Sequence, residues 1–358
     1  MPEAHARRRA RVLERVRDEA PQAVGLLITS LTNVRYLTGF TGSNAVLLLS
    51  DGEAILGTDG RYAVQAAEQC PDLPILLDRA TLPAVARRVP DAEPLAVESE
   101  HLRVSDLRAL EDVVTGRLIE LSGVVESVRI VKEPAELAAI ARACEISDAA
   151  LEATVSRVRA GVTERDIARW LEAAMFEHGA DEISFATIVA AGPHSAKPHH
   201  EPTDRPVATG DLLLIDFGAA VAGYHADETR TFVLGEPEQW QREIHEVVEQ
   251  AQAAGRQAAT AGVDARAVDA AARDVVVAAG YGEHFDHGLG HGVGLDIHEA
   301  PFFSTRATGM LPAGSSVTIE PGIYLPGRGG VRIEDTISVT DGPSRSLTTT
   351  RRDLVALG

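Results

Sequence analysis

Residues 211–234, DLLLIDFGAAVAGYHADETRTFVL, decide the fold of the larger part of this chain. Four consecutive aliphatic residues precede Asp216, and a second carboxylate, Asp227, follows eleven residues later beside another apolar run. Short apolar runs bounded by turn residues are typical of buried β-strands. We therefore predict two strands here, with Asp227 on the returning arm of a hairpin.

Two further apolar runs carry carboxylates. SSVTIEPGIYL (315–325) contains Glu320, and GGVRIEDTISV (329–339) contains Glu334. A buried, unpaired carboxylate costs several kcal/mol or stays protonated, so four of them in one region indicate a bound cation. Two alternatives stay open for single residues: Asp216 as a turn residue, and Glu334 as the partner of Arg332 on the same strand face.

The segment HGLGHGVGLDIHE (287–299) adds an imidazole donor, His291. Its four glycines predict extended chain, since each costs about 1 kcal/mol relative to Ala in a helix interior. Four carboxylates and one imidazole favour Mn²⁺, with Co²⁺ or Zn²⁺ as alternatives, over a cysteine-type zinc site. Because the five donors come from separate places and several can bridge, we predict two divalent ions.

The bulk composition limits the partners and the compartment. The net charge of -19 argues against nucleic acid and anionic membranes as partners. No apolar run approaches 18 residues, so we expect no membrane span. Cys70 and Cys144 lack metal-type spacing and are expected to be reduced thiols of a cytoplasmic protein.

The pattern of the chain predicts two domains. Residues 1–127 alternate short apolar strands with helices, expected at 61–69, 82–89 and 105–114, which predicts an α/β domain. Residues 128–358 predict an α+β domain. Its first helix begins at Glu133–Pro134, further helices cover about 237–261 and 265–279, and strands fill 187–234 and 288–339.

The ordered motifs IDFG…DETRT, GHGVGLDIHE, TIEPGIY and GGVRIEDT resemble the pita-bread metallopeptidases: prolidases, aminopeptidases P and methionine aminopeptidases. The five donors follow one another at spacings of 11, 64, 29 and 14 residues. LTNVRYLTGFTGSNA and TDGRYAVQAA resemble the creatinase-like N-terminal domain of the proline-specific members. The resemblance covers the whole chain and implies a homodimer that cleaves small peptides with proline in the second position.

The resemblance also implies the role of each metal donor. Asp216 would chelate one ion, while Asp227 and Glu334 would bridge the two. His291 and Glu320 would complete the other ion. Glu320 is also the candidate proton carrier from water to the leaving nitrogen.

His199 in KPHHEP and His298 in DIHE match histidines that contact the substrate and the tetrahedral intermediate in this family. Both are therefore candidate catalytic and substrate-binding residues. His200 has no matching role, and His287 stays unassigned between lining the pocket and supporting His291. Arg332 is a further candidate substrate contact.

Phe302 departs from the dipeptidase pattern HEAPR, in which an arginine binds the C-terminal carboxylate of the substrate. An aromatic ring packs on a proline ring but cannot clamp a carboxylate. Either the substrate is a longer peptide, or another arginine replaces the missing one. Arg35 is the preferred candidate, with Arg61 and Arg306 as alternatives.

Four hypotheses follow from these residues. An Xaa-Pro dipeptidase is the leading one, and an aminopeptidase P acting on longer peptides is the alternative that Phe302 favours. A non-catalytic binding module of the same fold is disfavoured because all five donor positions are filled. A metal-free, creatinase-like hydrolase would not need the carboxylate set.

Overall fold

The computed structural model describes residues 2–358. The chain divides into two compact units, the first ending at Arg129 and the second beginning at Ile130. This boundary lies two residues beyond the predicted one, because the helix Val124–Arg129 continues past residue 127. Among residues 2–358, no helix combines the length and the apolarity needed to cross a membrane.

The first unit is built on one mixed β-sheet with helices packed against it. Its helices are α1 (Pro2–Glu19), α2 (Leu31–Thr38), α3 (Ala63–Gln69), α4 (Thr81–Ala86), α5 (Val104–Glu111) and α6 (Val124–Arg129), with a 3-10 turn at Gly60–Tyr62. Its strands are β1 (Gly25–Ile28), β2 (Val46–Ser50), β3 (Glu53–Thr58), β4 (Ile75–Leu77), β5 (Leu95–Glu98) and β6 (Leu118–Leu121). They form a six-stranded sheet in the order β4-β3-β2-β1-β5-β6, in which β1 is antiparallel to β2 and parallel to β5.

The second unit combines long helices with many short strands. Its helices are α7 (Pro134–Val155), α8 (Glu164–Glu177), α9 (Gln239–Ala258) and α10 (Ala265–Ala278), with 3-10 turns at Gly192–Ala196 and Gly282–His284. Its strands are β7 (Glu182–Ile183), β8 (Ile188–Ala191), β9 (Leu212–Phe217), β10 (Ala219–Val221), β11 (Tyr224–His225), β12 (Glu228–Leu234), β13 (Gly290–Gly292), β14 (Glu299–Phe303), β15 (Ser316–Ile319), β16 (Gly322–Leu325), β17 (Gly329–Arg332), β18 (Asp335–Ser338), β19 (Arg345–Ser346) and β20 (Val355–Leu357).

Two sheets dominate this unit. One has the order β20-β12-β9-β8 and the other the order β14-β13-β15-β18-β19. An isolated bridge joins Thr229 of β12 to Glu334, which directly precedes β18 of the second sheet. The predicted return of the chain after Asp216 is confirmed, since β12 pairs antiparallel with β9 and places Thr229 opposite Asp216.

Strand alternation separates the core from the functional face. Along β9, Leu213, Ile215 and Phe217 are buried in the apolar cluster formed with α7 and α8. Successive side chains of a strand point to opposite faces, so Asp216 points away from that cluster. A second cluster joins α9 and α10 to β15 and β17. The carboxylates therefore lie between strands whose other faces are fixed by helices.

Candidate metal centre

All five predicted metal donors line one cavity of about 690 Å³ in the second unit. Asp216 lies in β9, Asp227 directly precedes β12, and His291 lies in β13. Glu320 and Glu334 were expected inside strands, and that detail is wrong: Glu320 directly follows β15, and Glu334 lies between β17 and β18. Pro321 explains the first break, because proline has no N–H to donate to a strand ladder.

The donor atoms converge. Asp227, His291 and Glu334 each offer a ligand atom, and these atoms lie within 4.8 Å of one another. His291 Nε2 lies 3.6 Å from Asp227 Oδ2 and 3.3 Å from Glu320 Oε1. His291 Nδ1 donates to the Gly292 carbonyl at 3.0 Å. That hydrogen bond leaves the Nε2 lone pair directed at the carboxylates, the tautomer that a metal ligand needs.

The electrostatics of this cluster fit bound cations. Burial, followed by the charge of Asp216, raises the pKa of Asp227 well above its usual range. Burial and then the charge of Asp227 do the same to the pKa of Glu334. Carboxylates this close cannot all be ionised without a compensating positive charge.

The hydrogen bonds leave ligand atoms available. Asp216 Oδ2 accepts from Arg332 Nη2 at 2.5 Å, whereas the buried Oδ1 has no hydrogen-bond partner among residues 2–358. Glu334 Oε2 accepts from the Thr229 hydroxyl at 2.6 Å. A buried polar atom without a partner is costly, and a divalent cation would satisfy it. The donor set present therefore fits a metal centre.

Arg332 does not pair with Glu334 in the way the same-face alternative suggests. Besides Asp216, it donates to the Tyr324 hydroxyl at 2.8 Å and to Thr229 Oγ1 at 3.0 Å. Tyr324 in turn lies 2.9 Å from His287 Nε2, and His287 Nδ1 donates to a backbone carbonyl. His287, left unassigned from the sequence, thus ends a hydrogen-bonded chain that starts at Asp216.

The predicted substrate-contacting residues of this unit surround the same cavity: His199, His298, Phe302 and Arg332. The rings of His298 and His291 are nearly perpendicular, with centroids 4.4 Å apart. Burial lowers the pKa of His298. Phe302 pairs with His291 across β13 and β14 and is 54% exposed.

The candidate arginines are placed differently. Arg35 lies in α2 of the first unit. Arg61, in the same unit, forms an ion pair with Asp59 at 2.9 Å. Arg306 follows β14 and is exposed, but it is not among the described residues that line the cavity.

Sequence reasoning missed Glu164 and the part played by His200. His200 was treated as a residue without a role, yet it is buried and its Nε2 lies 3.0 Å from Glu164 Oε2. Glu164 is the first residue of α8 and is fully buried. A glutamate after the helix-capping Thr163 is typical of an exposed first turn, so the sequence carried no signal for this burial.

The fold and the cluster together define a metal-binding hydrolase with a two-unit architecture. Residues 138–341 match the model of metallopeptidase family M24, and residues 8–131 match the creatinase/prolidase N-terminal domain. The chain belongs to metallopeptidase family M24. The predicted fold class, a creatinase-like α/β domain followed by a pita-bread catalytic domain, and the prediction of a metallopeptidase are confirmed.

Similar proteins include proline-specific peptidases. The Xaa-Pro dipeptidase of Pyrococcus furiosus is 36% identical over 332 residues, which cover 92% of this chain and 94% of that protein. The structure of an Xaa-Pro dipeptidase from Bacillus anthracis has a TM-score of 0.94 at 38% identity, covering 99% of this chain and 100% of that one. The structure of an X-Pro aminopeptidase from Thermotoga maritima MSB8 has a TM-score of 0.89 at 36% identity, covering 98% and 99%.

Proposed function

We propose that this chain is an Xaa-Pro dipeptidase that hydrolyses the peptide bond before proline. The observation that carries the proposal is the convergence of the five donors on one cavity, in a chain similar to known Xaa-Pro dipeptidases over almost its full length. The cavity is also lined by His199 and His298, which lie outside the donor set and are candidates for contacting the substrate.

The metal donors of the proposal are Asp216, Asp227, His291, Glu320 and Glu334, holding two divalent ions. Mn²⁺ is the preferred ion because four of the five donors are carboxylates, and Co²⁺ or Zn²⁺ are alternatives. When bound, such ions lower the pKa of water and polarise the peptide carbonyl.

The other steps of the proposed reaction are assigned to side chains of the cavity. Glu320 moves a proton from water to the leaving nitrogen. The proline nitrogen has no N–H in the peptide and leaves only when protonated. His199 and His298 orient the substrate from the cavity wall. Arg332, held by Asp216 and Tyr324, supplies a fixed positive charge there.

The proposal extends to the assembly and the compartment. The protein would act as a cytoplasmic homodimer on small peptides with proline second. Arg35 of the partner subunit would bind the substrate carboxylate that Phe302 cannot hold. Light scattering tests the dimer, and unchanged dipeptide kinetics in Arg35→Ala would remove Arg35 from the proposal.

A second candidate function, Xaa-Pro aminopeptidase, is favoured by Phe302. An exposed aromatic side chain at the cavity wall suits a longer peptide, whose carboxylate lies farther from the metal centre. The similarity to an X-Pro aminopeptidase of Thermotoga maritima supports the same alternative.

One assay separates these functions. Mn²⁺-reconstituted protein is given Ala-Pro and Ala-Pro-Ala, with Glu320→Ala as the inactive control. A dipeptidase has the higher kcat/KM for Ala-Pro, and an aminopeptidase has it for Ala-Pro-Ala. Glu320→Ala should lose at least about 100-fold in kcat, the usual contribution of a proton-transferring group. Failure of the Mn²⁺-bound wild type on both peptides would reject the proposal.

A further inference from the structure

A second buried cluster lies beside the metal centre, around the Glu164 carboxylate. Oε1 accepts from the Ala191 amide and from His194 Nδ1, both at 2.8 Å. Oε2 accepts from His200 Nε2 at 3.0 Å and from the Thr203 amide and hydroxyl at 3.0 and 2.7 Å. One carboxylate at the start of α8 therefore holds both ends of the segment from Ala191 to Thr203.

The Glu164 cluster is saturated with hydrogen bonds. Burial raises the pKa of Glu164, but the hydrogen bonds, with those of Thr203 the largest, outweigh it and lower the pKa to about 2. The His194 and His200 rings stack with centroids 4.2 Å apart. Five donors occupy the lone pairs that a cation would need. The arrangement therefore fits an anchor for the chain better than a third metal site.

The anchored segment carries His199. Five consecutive residues of it, 198–202, line the catalytic cavity. The His199 side chain is exposed and makes no hydrogen bond among residues 2–358, so its place depends on the flanking residues. On one side the Pro198 carbonyl accepts from Arg332 Nη1 at 3.4 Å, and on the other His200 is bound to Glu164.

We propose that Glu164 is a positioning residue for the peptidase reaction, acting through His199 by fixing the segment 191–203 at the cavity wall. The inference rests on the proposed function, because it assigns His199 a substrate contact. Glu164 touches neither the cavity nor the metal donors, so its effect must be transmitted through the segment.

A double-mutant cycle tests this transmission. Glu164→Gln replaces one acceptor oxygen with an N–H₂ group that faces donors, so the anchor loosens. Its kcat/KM for Ala-Pro should fall by about 10- to 100-fold, as when supporting partners of a functional residue are removed. In a His199→Ala background the same change should cost less than about 2-fold, because the residue it positions is gone.

Two further measurements make the test independent of activity and of folding. Amide hydrogen exchange should accelerate in peptides of residues 191–203 in Glu164→Gln, while Mn²⁺ affinity by calorimetry stays as in the wild type. Thr203→Val removes the hydroxyl that donates to Glu164 and accepts from the Arg205 amide, but it keeps the Thr203 amide donor. It should therefore cause a smaller loss of kcat/KM, and it serves as the second variant if Glu164→Gln folds poorly. Asp166→Asn, in the same first turn of α8 but bonded only to Thr163, should keep wild-type kinetics.

The outcomes are separable. Equal losses with and without His199, unchanged exchange of the segment, or weakened Mn²⁺ binding would each overturn the positioning role. An inactive wild type would reject the proposed function instead, and the exchange measurement would still decide whether Glu164 anchors the segment.

Discussion

Phe302 lines the cavity of the candidate metal centre, and it stands where the dipeptidase pattern HEAPR predicts an arginine. Because its side chain is 54% exposed, Phe302→Arg should cost little stability. A guanidinium there forms bidentate, charge-assisted hydrogen bonds with a carboxylate. We expect KM for Ala-Pro to fall by about 10-fold, a gain of about 1.4 kcal/mol in binding, with a smaller change for Ala-Pro-Ala. Steady-state kinetics with both peptides measure this shift.

Phe302→Leu is the matched control, since it shortens the side chain without adding charge. It should leave the preference between the two peptides unchanged. If Phe302→Leu and Phe302→Arg shifted the preference equally, the effect would come from lost aromatic packing rather than from carboxylate binding.

For single residues, the sequence predicted which side chains line the site but not which hydrogen bonds they form with one another. The carboxylates stood out because they interrupt apolar runs, a local signal. The bond between Arg332 and Asp216 depends on how β17 approaches β9, residues more than 100 positions apart in the chain. No local pattern encodes that contact, so the same-strand pairing with Glu334 was an equally reasonable reading of the sequence.

The element β14 is fixed at its first residue by a buried ion pair. Lys132 Nζ donates to Glu299 Oε1 at 2.6 Å, and the two side chains are 1% and 5% exposed. Glu299 directly follows His298, so the ion pair between Lys132 and Glu299 also fixes the end of the segment that carries His298. Removing one partner of a buried pair leaves an uncompensated charge and typically costs about 3–5 kcal/mol. Lys132→Met should therefore lower the free energy of urea unfolding by about that amount.

The double variant Lys132→Met/Glu299→Gln provides the comparison. It removes both charges, so it should be more stable than Lys132→Met alone. A double variant as unstable as the sum of the two single variants would show that packing, not charge, dominates this contact.

Helix α9 contains a buried neutral histidine that should make stability depend on pH. Burial lowers the pKa of His245 to about 4, and its buried Nε2 has no hydrogen-bond partner among residues 2–358. The unfolded chain takes up this proton near pH 6.5, whereas the folded chain does so only near pH 4. Stability is therefore lost as pH falls through that window. His245→Leu should flatten the change in Tm between pH 7 and pH 5, measured by calorimetry.

If the Tm of His245→Leu fell with acidification as steeply as that of the wild type, other groups would dominate the window. His5 in α1 is the first of these, because burial and then the charges of Arg8 and Arg9 lower its pKa to about 4 as well. The same measurement on His5→Leu then shows whether α1 or α9 causes the dependence of Tm on pH.

Elements were predictable where the periodic signal is long. The amphipathic α9 and α10 were expected from their sequence, and they differ from the expected bounds only by a few residues at the ends. The glycine-rich stretch after residue 287 was less defined, because its strands are short and their limits depend on tertiary pairing. Glu164 escaped detection for the same reason: its burial results from a segment that folds back from 27 to 39 residues away.

For the whole molecule, the change of sequence pattern near residue 127 was sufficient to expect two units. The second unit alone contains all five predicted metal donors. Metal binding should therefore stabilise the two units unequally. A ligand that binds only the folded state stabilises it by RT ln(1 + [L]/Kd), about 2.7 kcal/mol at 100 times Kd. Bound metal makes local opening of β9, β12 or β15 less favourable, because such opening separates the metal donors.

Hydrogen exchange with and without a chelator measures this difference peptide by peptide. Adding Mn²⁺ to chelator-treated protein should slow exchange in β9, β12, β13 and β15, with little change in β1, β2 and β5 of the first unit. Asp227→Asn, which removes the charge of one predicted metal donor, should lose most of the protection. Equal protection in both units would mean that the ion binds outside the five donors or that the two units open as one, and either result would contradict the assignment of metal stabilisation to the second unit alone.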